Sequence, residues 1–157
     1  MSRQVRPDDL PRSPFYLLPA MAKPENPALA RIGNAELIRQ HFGYWPSFHD
    51  AEITKVIFEA NPGYWPSATF SLNISTKKTH TLADAGSETN TSCTLELLFT
   101  DIQELEFADF SHQNVLYDLV IEESASNIKC TFDSSAGLDA VIVAREVRVL
   151  SLTSLAQ

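Results

Sequence analysis

Long apolar runs are missing from this 157-residue chain. Nothing approaches the roughly 20 consecutive apolar residues of a membrane-spanning helix, so no membrane partner is expected. The first apolar cluster, Phe15, Tyr16, Leu17 and Leu18, is short, ends at Pro19 and follows Asp8 and Asp9. That is not the pattern of a secretory leader, and the expected location is the cytoplasm. Cysteine is scarce as well. Cys93 and Cys130 are the only two, too few for a disulfide framework. Cys93 shares strand parity with Leu95, Leu97 and Phe99, and Cys130 with Ile128 and Phe132. Both therefore read as reduced thiols packed as small hydrophobes.

Positive charge is thin outside the N-terminus. Residues 1–31 carry five Lys or Arg against three Asp or Glu, while the remainder carries seven against seventeen, a net charge of −10. Such a body repels phosphate backbones, which argues against a nucleic-acid partner. It favours encounter with a basic protein, although surplus acid also serves plain solubility.

What is present suits one globular domain. The length fits a single core, and nine Phe, four Tyr and two Trp can fill it. Six of nine prolines fall at positions 7, 11, 14, 19, 24 and 27, which forbids helix and strand alike. Residues 1–30 are thus expected to be an extended, proline-rich arm, and 31–157 a single β-rich domain. Phe15, Tyr16, Leu17 and Leu18 could dock the arm on its own domain or on a second subunit, making a homodimer.

Asn34 offers an N-cap for a helix over AELIRQHF, with Leu37, Ile38, His41 and Phe42 on one face and Gly43 at the left-handed stop. Strand patterns follow at 53–59, 68–75, 93–99, 105–110, 115–122, 127–132 and 138–152. ITKVIFE (53–59) is apolar on both parities, which predicts a central strand covered on both sides. ATFSLNIS (68–75) alternates, with Ala68, Phe70, Leu72 and Ile74 inward. Asn61, Pro62 and Gly63 signal a turn, and 76–92 a long polar loop. The pattern predicts an α+β, mostly β fold: a largely antiparallel sheet or sandwich of six to seven strands with one short helix.

The pentapeptide GYWPS occurs twice, at 43–47 and 63–67, and uses both tryptophans. Beyond Ser47 and Ser67 the copies diverge, so they read as two similar lead-ins to strands rather than a duplicated unit. Tyr44, Trp45, Tyr64 and Trp65 are equally suited to core packing and to partner binding, where Tyr and Trp are enriched.

The first copy continues into FHD. Ser47, His49 and Asp50 are the three side-chain types of a hydrolase triad, but triad members converge from separate segments. Adjacent strand residues also point apart, so His49 and Asp50 are expected to diverge. His41, His49, His80 and His112 form no paired-ligand spacing. No catalytic group, cofactor or metal is expected. Phe48 reads as a core anchor and Asp50 as an acceptor for turn N–H groups. Asn114 has an amide suited to satisfying backbone groups at a strand end.

WPSFHDAEI (45–53), between a short helix and an apolar strand, resembles the signature of the Immunity protein 50 family. LEFADFSHQNVLYDL (105–119) and a late strand carrying Cys130 are similar to it as well. The likeness runs over about residues 34–150 and leaves out the arm and the second GYWPS. It points to Trp45, Pro46, Ser47, Phe48, His49, Asp50 and Asn114 as motif residues, structural or binding. It implies a small, mostly β immunity protein that neutralises a cognate bacterial toxin domain by binding it. The acidic body makes a basic toxin the expected partner. Other readings are a β-rich housekeeping or ligand-binding protein, and a metal-dependent enzyme.

Overall fold

The computed structural model describes residues 26–79 and 88–155. A 3-10 turn (Pro27–Arg31) leads into β1 (Ile32–Gly33), α1 (Glu36–Phe42), β2 (Glu52–Glu59) and β3 (Ser67–Thr79). The chain continues through β4 (Glu88–Ala108), β5 (Val115–Ser124), β6 (Asn127–Ala136) and β7 (Asp139–Ser154). The fold is α+β and mostly β, as the pattern predicts.

The sheet order is β1-β7-β4-β3-β2-β5-β6, and β6 pairs with β7 as well. Strands β2 to β7 therefore form a ring in which every pairing is antiparallel. The short β1 adds in parallel to β7 at Val147 and Arg148. Closing a sheet on itself removes edges, but one joint of this ring is thin. β2 meets β5 only at Glu52 and Val115.

β4 merges two segments that the sequence suggested as separate strands, 93–99 and 105–110. Its register on β7 shifts between Glu96 and Leu97 and again between Ile102 and Glu104. Asp101 between them takes φ 52°. Bulges bend a strand and raise its twist, which lets one long strand serve both sides of the ring. β3 runs to Thr79 and pairs with β4 from Glu88, so most of the expected loop at 76–92 is strand.

The core follows the alternation. Ala68, Phe70, Leu72 and Ile74 are buried, as are Cys93, Leu95, Leu97 and Phe99 across from them. Phe70 stacks on Phe132 at 4.7 Å and meets Phe99 edge-on at 5.4 Å. Each such ring contributes about 2–3 kcal/mol by leaving water. Both cysteines are free and buried, and burial raises both thiol pKa values, that of Cys130 to about 12.

Three local expectations are corrected. Asn34 is not the N-cap: the cap position is Ala35, without a side-chain bond. Asn34 itself takes φ 59° and spends its amide on the Val149 carbonyl of β7 at 3.1 Å. Leu37 is exposed, and α1 buries Ile38 and Phe42. β2 is not a covered central strand. Ile57, Phe58 and Glu59 are exposed, because β2 has a full partner only in β3.

Most of the expected arm lies outside the described residues, including Phe15, Tyr16, Leu17 and Leu18. Its last residues, 27–30, fall in the 3-10 turn Pro27–Arg31, which buries Ala28 and Leu29. The Asn26 amide donates to the Ile121 carbonyl of β5 at 2.7 Å.

Candidate partner-binding site

The two GYWPS copies share a backbone device. Gly43 takes φ 83° and Gly63 φ 86°, values that only glycine adopts at no steric cost. Gly43 closes α1, its N–H donating to the Arg39 carbonyl at 2.7 Å. Gly63 completes the β2–β3 turn, in which Tyr64 N–H donates to the Asn61 carbonyl at 2.8 Å. From there the environments part. In the first copy Pro46 is buried, and Trp45 packs against the core with its ring 5.7 Å from Phe48. In the second, Pro66 is exposed, Tyr64 is 84% exposed and Trp65 50%.

Each tryptophan borders its own open cavity. Trp45 lines one of about 390 Å³ with Pro46, Leu29 and Leu119 to Ile121 of β5. Trp65 and Tyr64 line a larger one, of about 590 Å³, over the outer face of β3 and β4 at Thr69, Leu98 and Thr100. Glu59 and Asp101 supply its charge.

The FHD corner is where the ring closes. Phe48 and Asp50 take φ 62° and 66°, a region that costs a non-glycine residue on the order of 1 kcal/mol. Burial of the Phe48 ring, 2% exposed, offsets that cost. The reversed backbone lets Asp50 N–H donate to the Leu116 carbonyl at 2.9 Å, and Leu116 N–H to the Ala51 carbonyl at 2.8 Å. The same reversal overturns the expected divergence of His49 and Asp50. His49 Nε2 lies 3.5 Å from Asp50 Oδ1, with both side chains more than half exposed. His49 Nδ1 donates to the Tyr117 carbonyl at 2.8 Å, and its ring stands edge-on to Tyr117. The Ser47 hydroxyl accepts from His49 N–H at 3.3 Å and so faces its own turn, not the imidazole. Asp50 accepts no backbone N–H among the described residues, contrary to expectation. Among the described residues, the corner has a histidine–carboxylate pair, and its Ser47 hydroxyl is turned to the His49 N–H instead of the ring.

Asn114 is the buried polar centre of this region, 4% exposed. Its Oδ1 accepts from Ser111 N–H at 2.9 Å and Leu138 N–H at 3.1 Å. Its Nδ2 donates to the Ser111 carbonyl at 2.8 Å and the Ile53 carbonyl at 3.4 Å. Its own carbonyl accepts from Ile53 N–H at 2.8 Å. One side chain thus joins β2, the loop before β5 and the β6–β7 turn. Gly137 lies against it so closely that an added Cβ would sit 2.2 Å from the Gln113 carbonyl oxygen and 2.5 Å from Asn114 Oδ1.

Among the described residues, no group of three or more His, Cys, Asp or Glu side chains could hold a metal. No helix there is long and apolar enough to cross a membrane. His80 lies outside the described residues, His112 is exposed, and His41 packs edge-on against Phe42. Sequence reasoning missed Phe58, Phe107 and Phe110, which are half-exposed and in ring contact in series. The inward parity of Leu105 and Phe107 was readable. Their exposure was not, because it depends on which strands fail to pair.

Neither a curated protein nor a solved structure matches the chain. The family model described as Immunity protein 50 matches residues 34–155, which span α1, the FHD corner and β2 to β7. The chain belongs to the Immunity protein 50 family.

Proposed function

We propose that this protein neutralises a cognate bacterial toxin by binding the toxin domain one to one, as a non-enzymatic inhibitor in the cytoplasm. Family membership over residues 34–155 is the observation that carries this reading. An inhibitor of this kind needs a firm scaffold, complementary charge and a few aromatic anchors. The ring of strands, the net charge of −10 over residues 32–157 and the exposed Tyr64 and Trp65 supply features of each kind. The charge favours a basic toxin domain. Of the four candidate contacts, Tyr64 and Trp65 are presented to a partner. Tyr44 is exposed on the other copy, and Trp45 serves mainly the packing around Phe48.

The test is co-expression with the toxin domain encoded by the adjacent gene, followed by titration of the two purified proteins. Protection of the cells and a one-to-one complex are expected. Trp65→Ala should cost about 2 kcal/mol of binding, mainly through faster dissociation. Unprotected cells and no complex would reject the reading.

A further inference from the structure

β2 is apolar on both faces, and the structure leaves most of it uncovered. Beyond the bulge at Ile53 and Lys55, Val56 and Phe58 lie opposite Phe70 and Ala68, so they face the interior of the ring. On β4, Leu105 and Phe107 lie opposite the buried Ile142 and Ala140, and they face the same interior. Side chains with that orientation are ordinarily buried. Here Phe58 is 45% exposed, Leu105 42% and Phe107 37%, and Phe110 just beyond β4 is 46% exposed.

The reason is a gap in the pairing. Among the described residues, β2 past Ile53 pairs only with β3, and residues 104–108 of β4 pair only with β7. Rings span the gap in place of backbone bonds. Phe58 meets Phe107 edge-on at 5.1 Å, and Phe107 lies 6.1 Å from Phe110. Phe58 also meets Phe70, which stacks on Phe132. The aromatic layer of the core therefore continues out to the surface.

Acid flanks this opening on the outer face of its two border strands, where Glu59 follows the inward Phe58 and Glu104 and Glu106 alternate with the inward Leu105 and Phe107. Glu59, Glu104, Glu106 and Asp109 are all exposed, and residues 104–110 contain three carboxylates and no Lys or Arg. Lys55 is a nearby cation, exposed and on the outward parity of β2 with Ile57 and Glu59. An apolar centre with a mostly acidic fringe matches the anatomy of an interface: a few desolvated aromatic anchors inside a polar rim. A second copy of this chain would bring two acidic fringes together, which repels.

We propose that this aromatic seam is a docking patch for a basic face of the toxin domain. An apolar side chain of the partner seats on Phe58, Phe107 and Phe110, while its Lys and Arg side chains meet Glu59, Glu104, Glu106 and Asp109. This rests on the toxin-neutralising reading above and adds a second contact to it. The Trp65 cavity lies on the outer face, and the seam opens onto the inner one. The two meet at the tip of β2, where Phe58 turns inward and Glu59 lines the Trp65 cavity.

The experiment uses the full chain and a catalytically inactivated toxin domain from the adjacent gene. Affinity and association rate are measured for wild type, Phe107→Ser, Phe110→Ser and the pair Glu104→Gln with Glu106→Gln. Folding of each variant is checked by its unfolding midpoint. Phe107→Ser or Phe110→Ser should weaken binding about 30-fold, through dissociation. The Glu pair should slow association about fivefold at low salt, with the difference vanishing at high salt. Amide exchange on the wild-type complex needs no variant, and residues 55–59 and 104–110 should slow on binding. A complex with unchanged affinity in folded variants and unchanged exchange at these residues would overturn the seam and leave the neutralisation reading intact. Absence of any wild-type complex would overturn both. A wild-type dimer that Phe107→Ser dissolves would replace the toxin by a second copy of the chain.

Discussion

The same five residues, GYWPS, do opposite work in two places. At 43–47 they end a helix and lead into the corner where the ring closes. Trp45 and the buried Pro46 then pack beside Phe48, and the chain proceeds into bonds with β5. At 63–67 they form the exposed tip of a hairpin, with Trp65 lying over the outer face of β3 and β4. Gly43 and Gly63 have nearly the same φ, so local geometry does not separate the copies. What separates them is what lies ahead in the chain. Phe48 and the ring closure draw the first copy inward, while an alternating strand lets the second end at the surface. A short identical peptide fixes a turn, and tertiary context fixes its burial.

The largest expected effect lies in the β6–β7 turn, against Asn114. Gly137→Ala should destabilise the fold by more than about 3 kcal/mol, since its Cβ meets two oxygens and its φ is 80°. Gly63→Ala meets nothing within 4 Å, so only backbone strain of about 1 kcal/mol is expected. Urea unfolding of the two variants measures the contrast, and equal losses would break it.

Phe48→Ala should cost about 3–5 kcal/mol as a buried ring removed from the core. Trp65→Ala should stay within about 0.5 kcal/mol of wild type in stability, as expected of an exposed position. A large loss of stability in Trp65→Ala would mean that the second copy is structural too.

Alkaline pH tests the core beneath both copies. The folded-state pKa of each cysteine lies above its ordinary value because burial disfavours the thiolate. The stabilisation from keeping the thiols neutral is complete below pH 9 and is lost as pH rises toward about 12, the value for Cys130. The unfolding midpoint should therefore fall over that window in wild type and fall less in Cys130→Ala. Thiol reagents should react slowly with native protein and with two thiols after denaturation. A Cys93–Cys130 bridge in fresh protein would contradict this.

A similarly small effect on stability is expected from His49→Ala and Asp50→Ala. Their pair is exposed at 3.5 Å, and such pairs contribute about 0–1 kcal/mol. Loss of toxin binding in either variant at unchanged stability would make the corner a contact surface.

The alternation of ATFSLNIS placed β3 and its buried face correctly, because a period of two leaves little choice once one face is apolar. The parity of Cys93 and Cys130 gave their burial for the same reason. ITKVIFE misled: apolar residues on both parities ordinarily mean cover on both sides, and here one side opens onto a gap. That gap is set by β2 pairing with β5 at Glu52 alone, a long-range fact with no local trace. His49 and Asp50 misled because positive φ at Phe48 and Asp50 cancels strand alternation, and non-glycine residues rarely announce it.

Asn114 has a consequence for how the chain assembles. It ties Ile53 to Leu138, residues that become neighbours only after most of the sequence between them has ordered. The entropy of closing so long a loop must be met before these bonds can form. Hairpins such as β3–β4 and β5–β6 join residues close in sequence and can form early. The knot at Asn114 is then the late step that converts a curled sheet into a ring. Its removal should leave the early rate of collapse unchanged and speed unfolding, which places the lifetime of the finished protein, more than its birth, in the hands of one amide.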